Sequence, residues 1–233
     1  TGNDYNATDL RLFSAENIES IEILNGASSV LYGSNATVSV INIKTKKSAI
    51  KPFEGNIGAR IGSFGTFAQN ATFKGKKDNF NYQISGFNEK SEGISSAEGK
   101  DFDKDGFSKQ NVNARIGYQK ENFSVNVNGG YQHHFYDFDN GAFEDGKYRG
   151  NDTQLFGGVT SQYNYGKGNL NFNSRISGND RLVSNYVNNK YQDQYEYQGQ
   201  NIFLELYNQT KFSEKINLVT GVQYETQNLS AKT

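Results

Sequence analysis

The chain has 233 residues, a formal net charge of −1 and 34% hydrophobic residues, and 14% of its residues are aromatic. The near-neutral charge argues against a nucleic-acid interface, which needs a basic face, and the abundant aromatic residues argue against disorder. The complete lack of cysteine excludes disulfide scaffolds, thiolate metal sites and cysteine nucleophiles. No apolar run approaches the roughly 18 residues of a membrane-spanning helix, so no transmembrane helix is predicted.

The first 50 residues predict a small domain whose sequence pattern differs from that of the rest of the chain. β-branched clusters around Ile21 and from Val38 to Ile43 predict two short strands. A lysine-rich stretch and Pro52 follow, and a proline after a polar stretch is typical of a linker. We therefore predict a first domain at 1–50 and a second domain at 51–233.

From about residue 54 onward, apolar and polar residues alternate over long stretches, as they do from Val112 to Tyr118. A period of two places the apolar and polar residues on opposite faces of a sheet. Nine strands are predicted, near 54–63, 66–75, 79–90, 108–119, 122–136, 150–165, 168–181, 194–212 and 215–228.

The connections between these strands alternate in length. Short turns are predicted at 76–78, 120–121, 166–168 and 213–215. Long connections are predicted at 91–107, 137–149 and 182–193. This parity is typical of transmembrane β-barrels, whose turns are short at one end and whose loops are long at the other. A soluble β-sandwich is the alternative interpretation, because its antiparallel strands also alternate.

The N-terminal segment carries a specific motif. Residues 18–36 read IESIEILNGASSVLYGSNA, and residues 40–43 read VINI. This stretch resembles the end of the plug domain of TonB-dependent outer-membrane receptors. Asn25 and Ala27 depart from the family's arginine and proline, and Val38-Ser39 replaces its glycine pair, so the local loop conformation stays open.

The resemblance implies an all-β fold, a partial transmembrane antiparallel β-barrel preceded by the C-terminal part of a mixed α/β plug domain. About nine strands of a 22-stranded barrel would be present, and barrels of that size have a plugged lumen. It also implies the bacterial outer membrane as the location, contact with outer-membrane lipid, and a monomeric barrel in the full-length receptor. We expect this chain to be a fragment, since nine strands are an odd number and leave unpaired edges.

The sharpest chemical motif is Asp-Phe-Asp-Lys-Asp-Gly at 101–106. Ca²⁺ takes six to eight oxygen ligands, and aspartates at alternate positions before a glycine converge readily on one ion. An EF-hand would place a glutamate at the twelfth position, where this chain has Val112, so this motif is not an EF-hand. The next long loop adds Asp137, Asp139 and Glu144-Asp145. A solvated acidic turn is the alternative interpretation, because Asp-Gly is common in loops.

Within the family, these two acidic loops resemble those of cobalamin transporters, in which calcium orders the loops that contact the corrinoid. The resemblance implies calcium as the cofactor, and it implies the ligand residues Asp101, Asp103, Asp105, Tyr136, Asp137 and Asp145. It also implies that Phe138 contacts the transported ligand. The predicted function is TonB-dependent uptake of cobalamin or another small nutrient. A siderophore or glycan receptor is the alternative within the same class.

The remaining candidate residues predict no catalysis. His133 and His134 are adjacent on a predicted strand, so their side chains point to opposite faces and cannot chelate one ion together. Arg115, Arg175 and Glu205 are interpreted as charges that line the lumen. Because no nucleophile or acid–base pair is identified, we expect a transporter rather than an enzyme. Its partners would be TonB, through a segment N-terminal to this chain, and a small nutrient, with no nucleic acid.

Overall fold

The computed structural model describes residues 18–26, 39–45, 49, 51–95, 97–99 and 102–232. The chain divides into two compact units, 1–48 and 49–233. Among the described residues, no helix has the length and apolar character needed to cross a bilayer. The assignment of 1–50 to a plug domain and of 51–233 to a barrel stays a prediction.

The first unit contains an antiparallel pair of strands, β1 (Ile18–Asn25) and β2 (Ser39–Thr45). Ile21 pairs with Ile43 and Ile23 pairs with Ile41, so the β-branched residues that predicted these strands face one another across the ladder. Gly26 follows β1 with a φ of 110°, a conformation that residues with a Cβ rarely adopt.

In the part of the second unit that the structure describes, nine strands form one antiparallel sheet, in which neighbours in the sequence are neighbours in the sheet. The all-β fold and the number of strands are confirmed. The strands are β3 (Glu54–Ile61), β4 (Phe67–Lys77), β5 (Phe80–Ile94), β6 (Asp105–Lys120), β7 (Phe123–Phe138), β8 (Tyr148–Tyr165), β9 (Gly168–Val187), β10 (Lys190–Lys211) and β11 (Asn217–Lys232).

One face of this sheet, here called the apolar face, carries aliphatic and aromatic side chains in rows across the strands. Ile116, Val127 and Val159 form one such row, and Ile116 and Val127 are both more than half exposed. On β7 the alternation runs from Phe123 to Tyr131, a stretch of about nine residues, and a tilted transmembrane strand needs about 9–11. Tyr163 pairs with Phe123 at one margin of these rows, as in an aromatic girdle.

The opposite face, here called the polar face, carries charged and amide side chains that bond to one another. Arg181 donates to both carboxylate oxygens of Asp152 at 2.8 Å, and Arg115 donates to the side chain of Asn126 at 2.8 Å. Asn173 donates to Glu205 at 2.7 Å. Such a face suits a hydrated or plugged interior. Facing lipid, its many charged and amide groups would lose their contacts with water, which is costly.

Two of the three predicted long loops are present, and there the short and long connections alternate as predicted. The turns 78–79, 121–122 and 166–167 join strands at one end of the sheet, here called the turn end. The connections 95–104 and 139–147 lie at the other end, here called the loop end.

The prediction of a third long loop at 182–193 is wrong. Strands β9 and β10 continue through this stretch and are joined by Asn188 and Asn189, whose φ values are 52° and 63°. Positive φ at both central residues defines a type I′ turn, which matches the twist of paired strands and which asparagine tolerates. Arg149 also anchors this hairpin, because its guanidinium carbon lies 3.7 Å from the ring centre of Tyr191.

Candidate functional site

The two long connections lie side by side at the loop end, because β5, β6, β7 and β8 are consecutive neighbours in the sheet. A backbone hydrogen bond joins them directly, since the amide of Glu98 donates to the carbonyl of Ala142 at 2.7 Å. The two acidic loops are therefore neighbours in the structure.

Three carboxylates converge between these loops. Asp103, Asp139 and Asp145 each offer a carboxylate oxygen, and these three oxygens lie within 4.8 Å of one another. Asp139 is buried, whereas Asp103 and Asp145 are exposed. Oxygen donors at this spacing suit a hard divalent cation such as Ca²⁺.

The electrostatics of this carboxylate cluster favour a positive charge. Partial desolvation by the surrounding loops and the neighbouring Asp145 carboxylate raise the pKa of Asp103 above its ordinary value, and Asp105 contributes in the same direction. Lys147 opposes this increase, with its Nζ atom 4.0 Å from a carboxylate oxygen of Asp103. Like charges held together make the ionised state costly, and a bound cation reverses that cost.

Asp139 fastens the two loops together through hydrogen bonds. One carboxylate oxygen accepts from the amide of Ala97 at 2.8 Å and from the hydroxyl of Ser95 at 2.9 Å. The other oxygen accepts from the amide of Gly146 at 3.1 Å.

The structure brings some of the predicted metal ligands together and not others. Asp103 and Asp145 are in the cluster, whereas Asp101 lies outside the described residues. Asp105 begins β6 and influences Asp103 by its charge, but its carboxylate is not among the three converging groups. Asp137 instead accepts a hydrogen bond from Nε of Arg149 at 2.9 Å.

Tyr136 and Phe138 lie at the end of β7, where their rings contact other aromatic side chains. The Tyr136 ring stacks on His134 with the ring centres 4.6 Å apart. The Phe138 ring lies 5.8 Å from Tyr136 and 5.4 Å from Tyr148. His133 bonds to Asn151 at 2.8 Å, on the opposite face from His134, so the two histidines do point apart as predicted.

Asp139 is the residue that the predicted ligand set left out. It lies two residues after Asp137, and the sequence offers no signal to choose between the two carboxylates. The structure distinguishes them, because β7 ends at Phe138 and the chain then turns, while Asp137 stays on the strand beside Arg149.

Comparison with known families identifies the N-terminal segment. The family model described as the TonB-dependent Receptor Plug Domain matches residues 1–40. No curated protein matches the chain by sequence. The family is one of transport receptors rather than enzymes.

Solved structures share the fold of this chain. The FrpB iron transporter from Neisseria meningitidis (F3-3 variant) has a TM-score of 0.77 and 14% identity, over 93% of this chain and 38% of that protein. The copper transporter OprC has a TM-score of 0.76 and 14% identity, over 95% and 35%. The siderophore receptor PiuA from Acinetobacter baumannii has a TM-score of 0.71 and 11% identity, over 92% and 36%.

The chain therefore spans less than two fifths of the length of each of these proteins. Receptors with this plug domain are outer-membrane proteins, which confirms the predicted location in the bacterial outer membrane. The plug-domain match at residues 1–40 and the fold shared over more than nine tenths of the chain together support a TonB-dependent receptor.

Proposed function

We propose that this chain is part of a transporter that takes up a small nutrient across the outer membrane, driven by TonB, and that calcium orders its loop end. The transport function is supported by the plug-domain match at residues 1–40 and by the shared fold. The calcium site is supported by the convergence of Asp103, Asp139 and Asp145 between two loops, within 4.8 Å. No covalent chemistry is part of this function.

The residues of the cluster fit calcium by their chemistry and their number. All three offer carboxylate oxygens, which are the ligands that Ca²⁺ prefers, and three carboxylates supply up to about six of the six to eight oxygens. The pKa of Asp103 is raised first by desolvation and second by the neighbouring Asp145 carboxylate, so the ionised cluster is costly without a counter-charge. When bound, the ion would supply positive charge that offsets this cost.

The protein's own groups hold the loops ready for the ion. Asp139 fixes Ser95, Ala97 and Gly146 by hydrogen bonds, so the protein's own groups hold one side of the cluster. Asp103 and Asp145 are exposed and would complete the site from the two loops. Ordering these loops before a nutrient arrives reduces the entropy lost on binding, which is preorganisation.

For the transported nutrient we propose cobalamin or a related corrinoid, because the two acidic loops resemble those of cobalamin transporters. Siderophore or glycan uptake is the alternative. The iron, siderophore and copper proteins named above share the fold of this chain at 11–14% identity, which does not transfer their substrates.

The test of the calcium site compares two aspartates in the full-length receptor in detergent. We expect Ca²⁺ titration calorimetry to show at least about tenfold weaker binding in Asp145→Asn, because a charged ligand is lost. Asp137→Asn serves as the matched control and should bind Ca²⁺ like the parent, since Asp137 pairs with Arg149. Equal weakening in both variants, or no calcium binding by the parent, would contradict the assignment.

The pH dependence of calcium binding follows from Asp103. Its pKa is raised, so protonation begins at a higher pH than for an ordinary aspartate, and a protonated carboxyl is a poor ligand. Calcium affinity should therefore fall as the pH is lowered from 7 towards the raised pKa of Asp103.

The nutrient is tested separately by equilibrium binding of cobalamin, with millimolar Ca²⁺ and with a chelator. Tight binding that weakens in chelator supports the corrinoid assignment. No binding in either condition excludes cobalamin and favours the siderophore or glycan alternative.

A further inference from the structure

Four hairpin connections at the turn end of the described sheet repeat one sequence motif. Each has a lysine, one variable residue, an asparagine, and then phenylalanine or leucine. The motif reads KDNF at 77–80, KENF at 120–123, KGNL at 167–170 and KINL at 215–218. Asparagine is common in turns because it tolerates their backbone conformations, but lysine is not among the residues that turns favour. Turn chemistry therefore explains the asparagine and leaves the lysine unexplained. We call Lys77, Lys120, Lys167 and Lys215 the turn lysines.

The last residue of each motif lies on the apolar face, at the margin of the apolar rows. These residues are between 41% and 58% exposed, and they are Phe80, Phe123, Leu170 and Leu218. Phe80 pairs with Tyr118, with the ring centres 4.8 Å apart. Phe123 and Leu170 both pair with Tyr163. Aromatic residues at such a margin lie at the level of the lipid headgroups.

Two turn lysines lie on the same face as the phenylalanines of their motifs. Lys77 pairs with Phe80, and Lys120 pairs with Phe123, each as the last pair of its hairpin. Residues that pair directly across antiparallel strands share a face of the sheet. The hydrocarbon stem of a lysine can lie along an apolar surface while its ammonium group reaches the polar layer. These ammonium groups therefore lie just outside the aromatic margin.

Backbone hydrogen bonds hold the turns in a regular row. The carbonyl of Asn79 accepts from the amide of Gln119 at 2.8 Å, which ties the first turn to the strand after its hairpin. The carbonyl of Lys167 accepts from the amide of Lys211 at 2.8 Å in the same way. Equivalent positions in successive hairpins are two strands apart, or about 10 Å. This spacing is close to the screening length of about 8 Å in physiological salt, so the fields of neighbouring turn lysines overlap.

The turn end is basic, whereas the two long connections at the loop end carry more carboxylates than cations. Eight lysines and four acidic residues lie at the turn end, in the segments 51–54, 74–78, 120–121, 166–167 and 211–215. Asp78 and Glu121 occupy the turn tips with φ values of 52° and 49°, farther from the apolar rows than Lys77 and Lys120. All four turn lysines are exposed, and no carboxylate of the described residues forms an ion pair with them.

We propose that the turn lysines bind the anionic headgroups of phospholipids in the leaflet that meets the turn end. This inference goes beyond the proposed function and rests only on its membrane-spanning sheet, not on the nutrient or on calcium. Each lysine close to an anionic lipid surface strengthens binding about fivefold. A soluble anion would contact the lysines alone. The exposed phenylalanine or leucine beside each lysine fits a ligand that has acyl chains below its phosphate.

The test uses the full-length receptor in detergent, with bound lipids counted by native mass spectrometry. The probes are phosphatidylglycerol and phosphatidylcholine with identical acyl chains, added in equal amounts. We expect the parent to retain phosphatidylglycerol in preference. In Lys77→Gln/Lys120→Gln this preference should fall at least about fivefold, the contribution of one lysine. It should also fall in the parent at 1 M salt, where the screening length is only about 3 Å.

Two variants serve as controls. Lys104→Gln/Lys190→Gln removes the same charge from exposed lysines at the loop end and should keep the preference of the parent. Lys77→Arg/Lys120→Arg keeps the charge at the turn end and should stay within about twofold of the parent, because arginine also binds phosphate. Far-UV circular dichroism checks that the sheet is intact in each variant.

Three results would overturn the proposal. They are equal retention of the two lipids by the parent, an unchanged preference in Lys77→Gln/Lys120→Gln, and the same loss of preference in Lys104→Gln/Lys190→Gln. Calcium titration and cobalamin binding report on the loop end, and both should be unchanged in Lys77→Gln/Lys120→Gln. A failure of the lipid preference is therefore distinguishable from a failure of the proposed function.

Discussion

The two ends of the nine-stranded sheet differ although the same strands form both. At the turn end, three connections are the tight turns 78–79, 121–122 and 166–167, and the strands stop close to the aromatic margin of the apolar rows. At the loop end, β8, β9 and β10 run well past those rows before they turn. The carboxylate cluster lies at this end, in the two connections that flank β6 and β7.

In the proposed transporter, this difference separates the part of the sheet that crosses the membrane from the part that binds the ligand. The apolar rows occupy about the length that a strand needs to cross a bilayer. Contact with lipid restricts their residues to apolar side chains. Beyond the rows, both faces meet water and polar loops, so charged and aromatic residues can be arranged for binding. The same hydrogen-bonded ladder continues through both parts and gives the binding residues a rigid support.

The largest expected effect tests which face meets lipid. Ile176→Arg places a charge in the apolar rows and should destabilise the folded receptor in bilayers by about 2–4 kcal/mol. Asn179→Arg introduces the same side chain three residues away on the polar face, where it should have little effect. Equilibrium unfolding in lipid vesicles compares them, and equal destabilisation would mean that the two faces are assigned wrongly.

A smaller effect tests whether the loop end is organised by the protein itself. Asp139→Ala removes the acceptor for the amides of Ala97 and Gly146. Local opening of the loops should become easier by about 2 kcal/mol, or about thirtyfold, because hydrogen bonds to a charged group are lost. Hydrogen exchange in the presence of chelator measures this, so that calcium cannot contribute.

The control for this experiment is Glu144→Ala, which removes an exposed carboxylate from the same loop. Exchange rates in the loops should stay close to those of the parent. If Asp139→Ala leaves exchange unchanged in chelator, then the loops are not held together by Asp139.

Much of the sheet follows from the sequence because period-two alternation is strong wherever one face is apolar. The stretch from Val112 to Tyr118 is an example, and β6 includes all of it. The continuation of β9 and β10 into a tight hairpin was not predicted, because the apolar residues there stand in adjacent pairs, Leu182-Val183 and Tyr186-Val187, and do not alternate with polar ones. A register shift between Asp193 and Tyr195 also interrupts the alternation there.

The candidate site was predictable only in part. The aspartates at alternate positions in 101–106 pointed to Asp103, and the acidic residues of the next long loop pointed to Asp145. Which carboxylate of the Asp137 and Asp139 pair turns towards them depends on where β7 ends and on the contact with Arg149. Such contacts join residues from different strands, so no local pattern reports them.

The proposed uptake requires that the loop end, with its carboxylate cluster, faces the cell exterior, as the long loops of such barrels do. Cysteine labelling on intact cells tests this central claim most directly. Gly141 at the loop end and Gly166 at the turn end are matched sites, since a Cβ at either glycine meets nothing within 4 Å. This chain has no cysteine, and the unmodified receptor measures the background. With a membrane-impermeant maleimide, Gly141→Cys should be labelled and Gly166→Cys should be protected until the cells are lysed. Labelling of Gly166→Cys but not of Gly141→Cys on intact cells would contradict the account.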